Sequence, residues 1–366
     1  MGTAEREDGR SIPAINLGEL EALAAEVLDE GAFHYFAGGA ADEVTLSENA
    51  RAYRRLRLVP RVLSAGTHPT TECEFLGTRV SSPVGVAPFA YQRVAHPDGE
   101  IATARACADA GVLMCLSSLS TQPLEEVVEA SGPERRIWFQ LYPYEDRAMT
   151  AEVVERAAEA GCRALVVTCD VAVHGRRERE FRHEFVLPDD CSLPCVPVPD
   201  DFDGPVSPSD VTSFMQEGLS WDDVRGFIEM TDLPVVLKGI LSPEDAKLAR
   251  ECGAAGIIVS NHGGRQLDTA VPTIEILPEI VDALDGDLEV FVDGGITRGT
   301  DVVKALALGA RGTMLARPIT WALALGGREG VAEALDMITS ETADALALCG
   351  CADPSAATDE LVREPG

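Results

Sequence analysis

The stretch Gly256-Ile257-Ile258-Val259-Ser260-Asn261-His262-Gly263-Gly264-Arg265-Gln266-Leu267-Asp268 changes character at its middle. Its first four residues have the length and apolar content of a buried strand, and the glycines behind them permit a tight turn. His262 and Arg265 therefore leave the core together at a strand end. An imidazole that titrates near neutral pH, beside a guanidinium that can fork onto a carboxylate, points to proton removal from a substrate anchored by its acid group.

The same kind of unit recurs along the chain. Short apolar runs at 84–90, 113–118, 138–142, 164–170, 235–240, 256–261, 289–295 and 312–318 are separated by stretches such as 99–111, 151–161, 243–253 and 300–309. Those stretches have helical periodicity and close on a glycine at the C-cap position. Eight alternations of strand and helix predict an α/β fold of the (β/α)8 TIM-barrel type. An open Rossmann-type sheet needs a Gly-x-Gly-x-x-Gly turn after an early strand, and the chain has none. Ahead of the barrel, 17–37 reads as a helical leader followed by a basic stretch at 51–61, the leader region covering about 1–60. The interval between strands four and five is too long for an ordinary connection and is proline-rich at 188–208. An insertion at about 178–230 is expected there, either a lid over the barrel mouth or a passive or oligomer-contact loop. Residues 338–362 read as one or two closing helices, and 1–366 as a single domain.

Composition excludes several function classes. A net charge of −31, with only Lys238, Lys247 and Lys304 as lysines among 30 basic residues, argues against nucleic acid or anionic membrane as a partner. No run of about 18 apolar residues occurs, and residues 1–20 are polar and acidic, which predicts a soluble, cytoplasmic protein. The 10 cysteines lie scattered, several inside apolar segments where cysteine acts as a small hydrophobe. Cys191 with Cys195, and Cys349 with Cys351, lack a matching second pair, so no metal site is expected.

Active sites of such barrels lie at the C-terminal strand ends. Here those ends read Pro88-Phe89-Ala90, Ser117-Ser118, Gln140-Leu141-Tyr142, Thr168-Cys169-Asp170, Lys238-Gly239, Ser260-Asn261-His262, Asp293-Gly294-Gly295 and Arg317-Pro318. A glycine pair after strand seven and an arginine after strand eight are the places where this fold binds phosphate. Lys238 supplies a positive charge to a group that becomes anionic in the reaction, as a reduced isoalloxazine does, or else pairs structurally with a core carboxylate.

From Phe33-His34-Tyr35-Phe36-Ala37-Gly38-Gly39 to Leu348-Cys349-Gly350-Cys351, the chain resembles the FMN-dependent 2-hydroxy acid oxidase and dehydrogenase family, which includes glycolate oxidase, lactate oxidase and mandelate dehydrogenase. The segments from Ser260 to Asp268 and from Gly299 to Ala310 carry the resemblance most specifically, and it is nearest to actinobacterial hydroxymandelate oxidases. It implies FMN as cofactor, a small 2-hydroxy acid as substrate, O2 as electron acceptor with release of hydrogen peroxide, and a homo-oligomer, tetramer or octamer. By resemblance His262 is the base and Asp170 stabilises its imidazolium. Arg177, Arg265 and Tyr35 hold the substrate carboxylate, and Tyr142 bonds the 2-hydroxyl. The flavin rests on Pro88, Phe89 and Ala90, with Ser117, Gln140, Thr168, Lys238 and Ser260 around it. Asp293 reaches the ribityl chain, and Gly294, Gly295, Arg298, Ala316 and Arg317 lie at the phosphate.

Three departures from the family pattern carry expectations. Thr297 stands where most relatives have arginine and Ala316 where they have glycine, which predicts weaker FMN retention with Arg298 helping to hold the phosphate. Leu119 replaces the tryptophan of glycolate oxidases, which predicts a substrate larger than glycolate, aryl in kind. Ala90 matches the oxidases of the family, in favour of O2. Two alternatives stay open: oxidative decarboxylation or action on a specialised intermediate, and a flavin-binding protein without turnover.

Overall fold

Eight parallel strands close on themselves: β1 (Val84–Val86), β2 (Leu113–Ser117), β3 (Ile137–Leu141), β4 (Ala164–Thr168), β5 (Val235–Ile240), β6 (Gly256–Val259), β7 (Glu289–Asp293) and β8 (Gly312–Leu315), with β8 pairing back onto β1. The computed structural model describes residues 12–63, 68–198, 202 and 208–364. The barrel is the fold the alternating pattern predicts. Its helices end as their glycines dictate: Gly99–Ala110 stops at Gly111 (φ 68°), Arg147–Ala160 at Gly161 (φ 92°) and Pro243–Cys252 at Gly253 (φ 88°). Among the described residues, no helix is long and apolar enough to cross a membrane.

Successive side chains of a strand point to opposite faces, so inward positions recur every second residue. The buried cluster inside the barrel contains Cys115, Trp138, Val166, Val236, Ile258, Phe291 and Met314. Two residues further on, the same strands place Ser117, Gln140, Thr168, Lys238, Ser260, Asp293 and Ala316. The barrel lumen is therefore apolar below and polar above, and the change falls within one period of the pleat. A hairpin of Cys73–Phe75 and Thr78–Val80 closes the lower end, where the Phe75 ring meets Phe291 at 5.0 Å. A Cβ at Gly312 would lie 2.3 Å from that ring, so the strand there has to be glycine.

The leader is helical as expected and the basic stretch gains detail, while the insertion and the closing segment differ from expectation. The leader is built of a 3-10 turn, Leu17–Glu19, followed by helices Leu20–Ala24 and Glu30–Ala37. Asp29 divides them, because its side chain caps the second helix by accepting from the Ala32 N–H at 2.9 Å. The basic stretch splits at Leu56, which turns extended between helix Val44–Arg55 and strand Arg57–Leu58. The insertion expected at 178–230 includes helix Trp221–Glu229, begun by a Ser220/Asp223 capping box, and this helix belongs to the outer layer of the barrel. The excursion proper is shorter and carries helices Glu178–Arg182 and Pro208–Phe214. The closing helix runs from Arg317 to Cys349 with a kink at Gly326 and Gly327. Beyond it the described residues make only 3-10 turns and a strand, Val362–Arg363, that pairs with Arg57–Leu58. Residues 1–11 of the leader, and 199–201 and 203–207 of the proline-rich segment, lie outside the described residues.

Candidate active site

A cavity of about 710 Å3 opens at the C-terminal strand ends, and most of the sequence-predicted site residues line it. Its floor is a hydrogen-bonded row across three strands: Ser117 Oγ donates to Gln140 Oε1 (3.0 Å) and Gln140 Nε2 to Thr168 Oγ1 (3.0 Å). Pro88, Phe89 and Ala90 form the adjoining wall. From the far side Lys238 Nζ reaches Ser260 Oγ at 2.9 Å and Asp293 Oδ2 at 3.2 Å. Burial disfavours the Lys238 charge, but Asp293, Asp170 and Tyr142 outweigh it and hold its pKa above the ordinary lysine value. Lys238 is thus both paired with a core carboxylate and exposed to the cavity.

His262 sits at the exit of β6 with a left-handed backbone (φ 56°), and its N–H is accepted by Ser260 Oγ at 3.0 Å. This turn swings the imidazole over the floor. Its Nδ1 lies 2.9 Å from Asp170 Oδ1, and its Nε2 lies 3.4 Å from the Tyr142 hydroxyl. Burial lowers the His262 pKa despite the opposing pull of Asp170. Asp170 is also buried, which alone would raise its pKa, but the charge of His262, its hydrogen bond and Lys238 bring the carboxyl below its usual range. A neutral imidazole that donates from Nδ1 to an ionised Asp170 leaves Nε2 with a free lone pair. Tyr142 is pushed up to about 12 by burial and the Asp170 charge, so its hydroxyl keeps its proton.

Two guanidiniums line the same cavity as His262. Arg265 donates to Tyr35 O (2.6 Å) and Gly38 O (3.0 Å), and its Cζ lies 5.0 Å from the Tyr35 ring centroid. Arg177 donates through Nη2 to Gln266 Oε1 at 3.2 Å. Between them lies Glu180, whose Oε1 is 2.9 Å from Arg265 Nη2 and 3.4 Å from Arg177 Nη1. The sequence reading missed Glu180. Its only signal was the i,i+3 spacing from Arg177 within the charged run Arg176-Arg177-Glu178-Arg179-Glu180.

The opposite end of the cavity is built from backbone. Gly294 (φ 92°) and Gly295 (φ 84°) turn away from β7, and a Cβ on Gly295 would lie 2.5 Å from the Asn49 backbone. Among the described residues, the N–H groups of Gly294, Gly295 and Ala316 donate to no backbone carbonyl. Asp293 Oδ1 is buried without a partner. Arg317 lines this end but is tied to the leader and to the turn after β6, donating to Phe36 O, Gly38 O and Gly263 O at 3.0, 3.0 and 2.9 Å. Burial and Arg265 push it down to about 9. The expectation for Arg298 is not met. Its side chain turns outward to Glu341, with Nε 2.9 Å from Oε2 and Nη2 2.8 Å from Oε1, because that carboxylate also caps the Gly299 N–H. Ser260 and Asp170 stand behind the cavity lining, acting through Lys238 and His262.

Residues 24–364 match the model of the FMN-dependent dehydrogenases. The chain belongs to that family. It is an FMN-dependent oxidoreductase, and its relatives are 2-hydroxy acid oxidases. It is 45% identical over 346 residues to L-lactate oxidase of a Nostoc strain, covering 92% of this chain and 94% of that protein. It is 44% identical over 353 residues to 4-hydroxymandelate oxidase of Amycolatopsis orientalis, covering 94% and 96% respectively. A crystal structure of mandelate oxidase superimposes with a TM-score of 0.88 at 44% identity, covering 96% of this chain and 98% of the other. The residues present fit the family cofactor. FMN needs polar partners along one ring edge, a cation near its pyrimidine end and an anion cradle for its phosphate. The floor row, Lys238, and the free N–H groups of Gly294, Gly295 and Ala316 together supply these, and the unpartnered Asp293 Oδ1 offers an acceptor between them.

Proposed function

We propose that this chain oxidises an (S)-2-hydroxy acid bulkier than glycolate, aryl in kind, to the 2-keto acid, with O2 reduced to hydrogen peroxide. The observation that carries the reading is the Asp170–His262–Tyr142 chain of contacts, which aims an unprotonated Nε2 into a cavity flanked by two guanidiniums. Arg177, Arg265 and Tyr35 hold the substrate carboxylate. Tyr142 donates to the 2-hydroxyl oxygen. Of the two hydrogens the substrate loses, His262 Nε2 takes one as a proton, Asp170 stabilises the imidazolium that results, and the other hydrogen and the electron pair are what bound FMN would accept. Bound FMN would supply the two-electron acceptor. Ser117, Gln140, Thr168 and Lys238 would hold its ring, with Lys238 supplying a positive charge.

Leu119, Phe181, Phe185 and Met215 line the cavity with apolar surface, which supports a bulky side chain. Ala90, on the wall beside the ring position, supports O2 as the acceptor by its match to the family's oxidases. The test is anaerobic addition of (S)-mandelate, (S)-lactate and glycolate to the purified holoenzyme while flavin absorbance is followed, with products read by mass spectrometry. Fastest bleaching by mandelate and formation of the 2-keto acid are expected. A carboxylate one carbon shorter would replace the reading with oxidative decarboxylation, and no bleaching by any of the three would sink it.

A further inference from the structure

The phosphate end lacks the side-chain cations expected of it. Thr297 is uncharged, Arg298 is paired with Glu341, and Arg317 spends three of its nitrogens on backbone carbonyls. Another guanidinium nonetheless lines this end, on the helix Val44–Arg55 ahead of the barrel. The Gly295 turn packs directly on that helix, since a Cβ there would lie 2.6 Å from Asn49 O and 2.7 Å from Ala50 N. Arg54 lies four residues after Ala50, one turn along on the same face. It borders the same cavity as Gly295, Ile296 and Thr297. A second observation agrees. The Asp301 carboxylate, which accepts from the N–H groups of Thr297 and Arg298 at 3.1 Å each, feels the charge of Arg54. Among the described residues, Arg54 makes no ion pair of its own within 4.0 Å, unlike Arg51 and Arg55 beside it, which both bind Glu48.

We infer that Arg54 is the cation that neutralises the FMN phosphate in this chain, taking over from the position held by Thr297. The assignment rests on the FMN reading of the cavity. Neutralisation comes from the leader helix instead of the barrel loop, so the helix and the Gly294–Gly295 turn close on the phosphate from two sides. The charge is partly open to solvent, and its effect therefore weakens as salt rises.

The test titrates the flavin-depleted full-length chain with FMN and, separately, with riboflavin, which lacks the phosphate, and reads the flavin fluorescence. Arg54→Ala is expected to weaken FMN about tenfold at low ionic strength and to leave riboflavin unchanged. Thr297→Arg added to Arg54→Ala is expected to restore FMN affinity. Equal loss for both flavins would overturn the assignment by making Arg54 merely structural, and wild-type FMN affinity in the variant would overturn it outright. If the wild-type chain showed no preference for FMN over riboflavin, the phosphate reading of the whole cavity end would fail, and Arg54 with it.

Discussion

The two ends of one cavity are built by different means. At one end the site groups are fixed by side chains: Asp170 holds His262, and Glu180 holds Arg265 and Arg177, with the Gln266 amide as a further partner of Arg177. At the phosphate end the fixed elements are backbone, a glycine turn and a helix start, while the side chains around them are free or committed elsewhere. Proton transfer depends on which atom of which ring carries the proton, so it needs particular side chains at particular distances. Holding a phosphate needs only N–H groups and net positive potential, which several positions can supply. On the proposed reading, the first end should be intolerant of substitution, and the second should hold a phosphate with threonine at 297.

The sharpest break of this contrast is His262→Ala. Anaerobic flavin reduction is expected to fall about 10⁴-fold while the flavin-to-protein ratio of the purified enzyme stays at the wild-type value. Near wild-type reduction would mean that the base lies elsewhere. Next, Asp170→Asn should slow reduction about 10²- to 10³-fold, because the amide neither fixes the tautomer nor stabilises the imidazolium.

That pair also sets the pH profile. The base acts when unprotonated, and burial puts its pKa below the ordinary 6.5. As pH falls, kcat/KM should therefore hold down to that value and drop only beneath it. Asp170 raises the His262 pKa, so Asp170→Asn should move the acid limb to still lower pH. A limb above 6.5 in the wild type would contradict the neutral, buried imidazole.

Arg177→Lys tests the carboxylate grip, with KM for the hydroxy acid expected to rise about 10- to 100-fold and kcat to change less, since an ammonium cannot bind bidentately. Glu180→Gln should do the reverse and lower KM a few-fold, because Glu180 now competes for both guanidiniums. A higher KM would show instead that Glu180 positions them. At the backbone end, Gly295→Ala forces a methyl against Asn49 at a positive φ and should cost about 1–3 kcal/mol, visible as a lower Tm and as FMN lost on gel filtration. Intact FMN content with an unchanged Tm would remove the glycine turn from the cradle.

The sequence by itself determined the barrel and most of its catalytic lining. Periodicity gave eight strands, and a polar residue two places beyond an apolar inward one is visible without coordinates, as in Val236 to Lys238 or Ile258 to Ser260. Helix ends were legible where Gly111, Gly161 and Gly253 stood, because only a residue tolerant of positive φ stops a helix that way. Tertiary structure alone decided the charge partners. Arg298 follows Thr297 in the chain yet points to Glu341, while Arg54 and Glu180, remote from the glycine turn and from Arg265 in sequence, are brought to the cavity by the leader helix and the insertion. A strand fixes where its own residues point through local backbone geometry. Which of several long cationic side chains faces an anion depends instead on which carboxylates and carbonyls the packed elements place nearby, and only the folded chain fixes that.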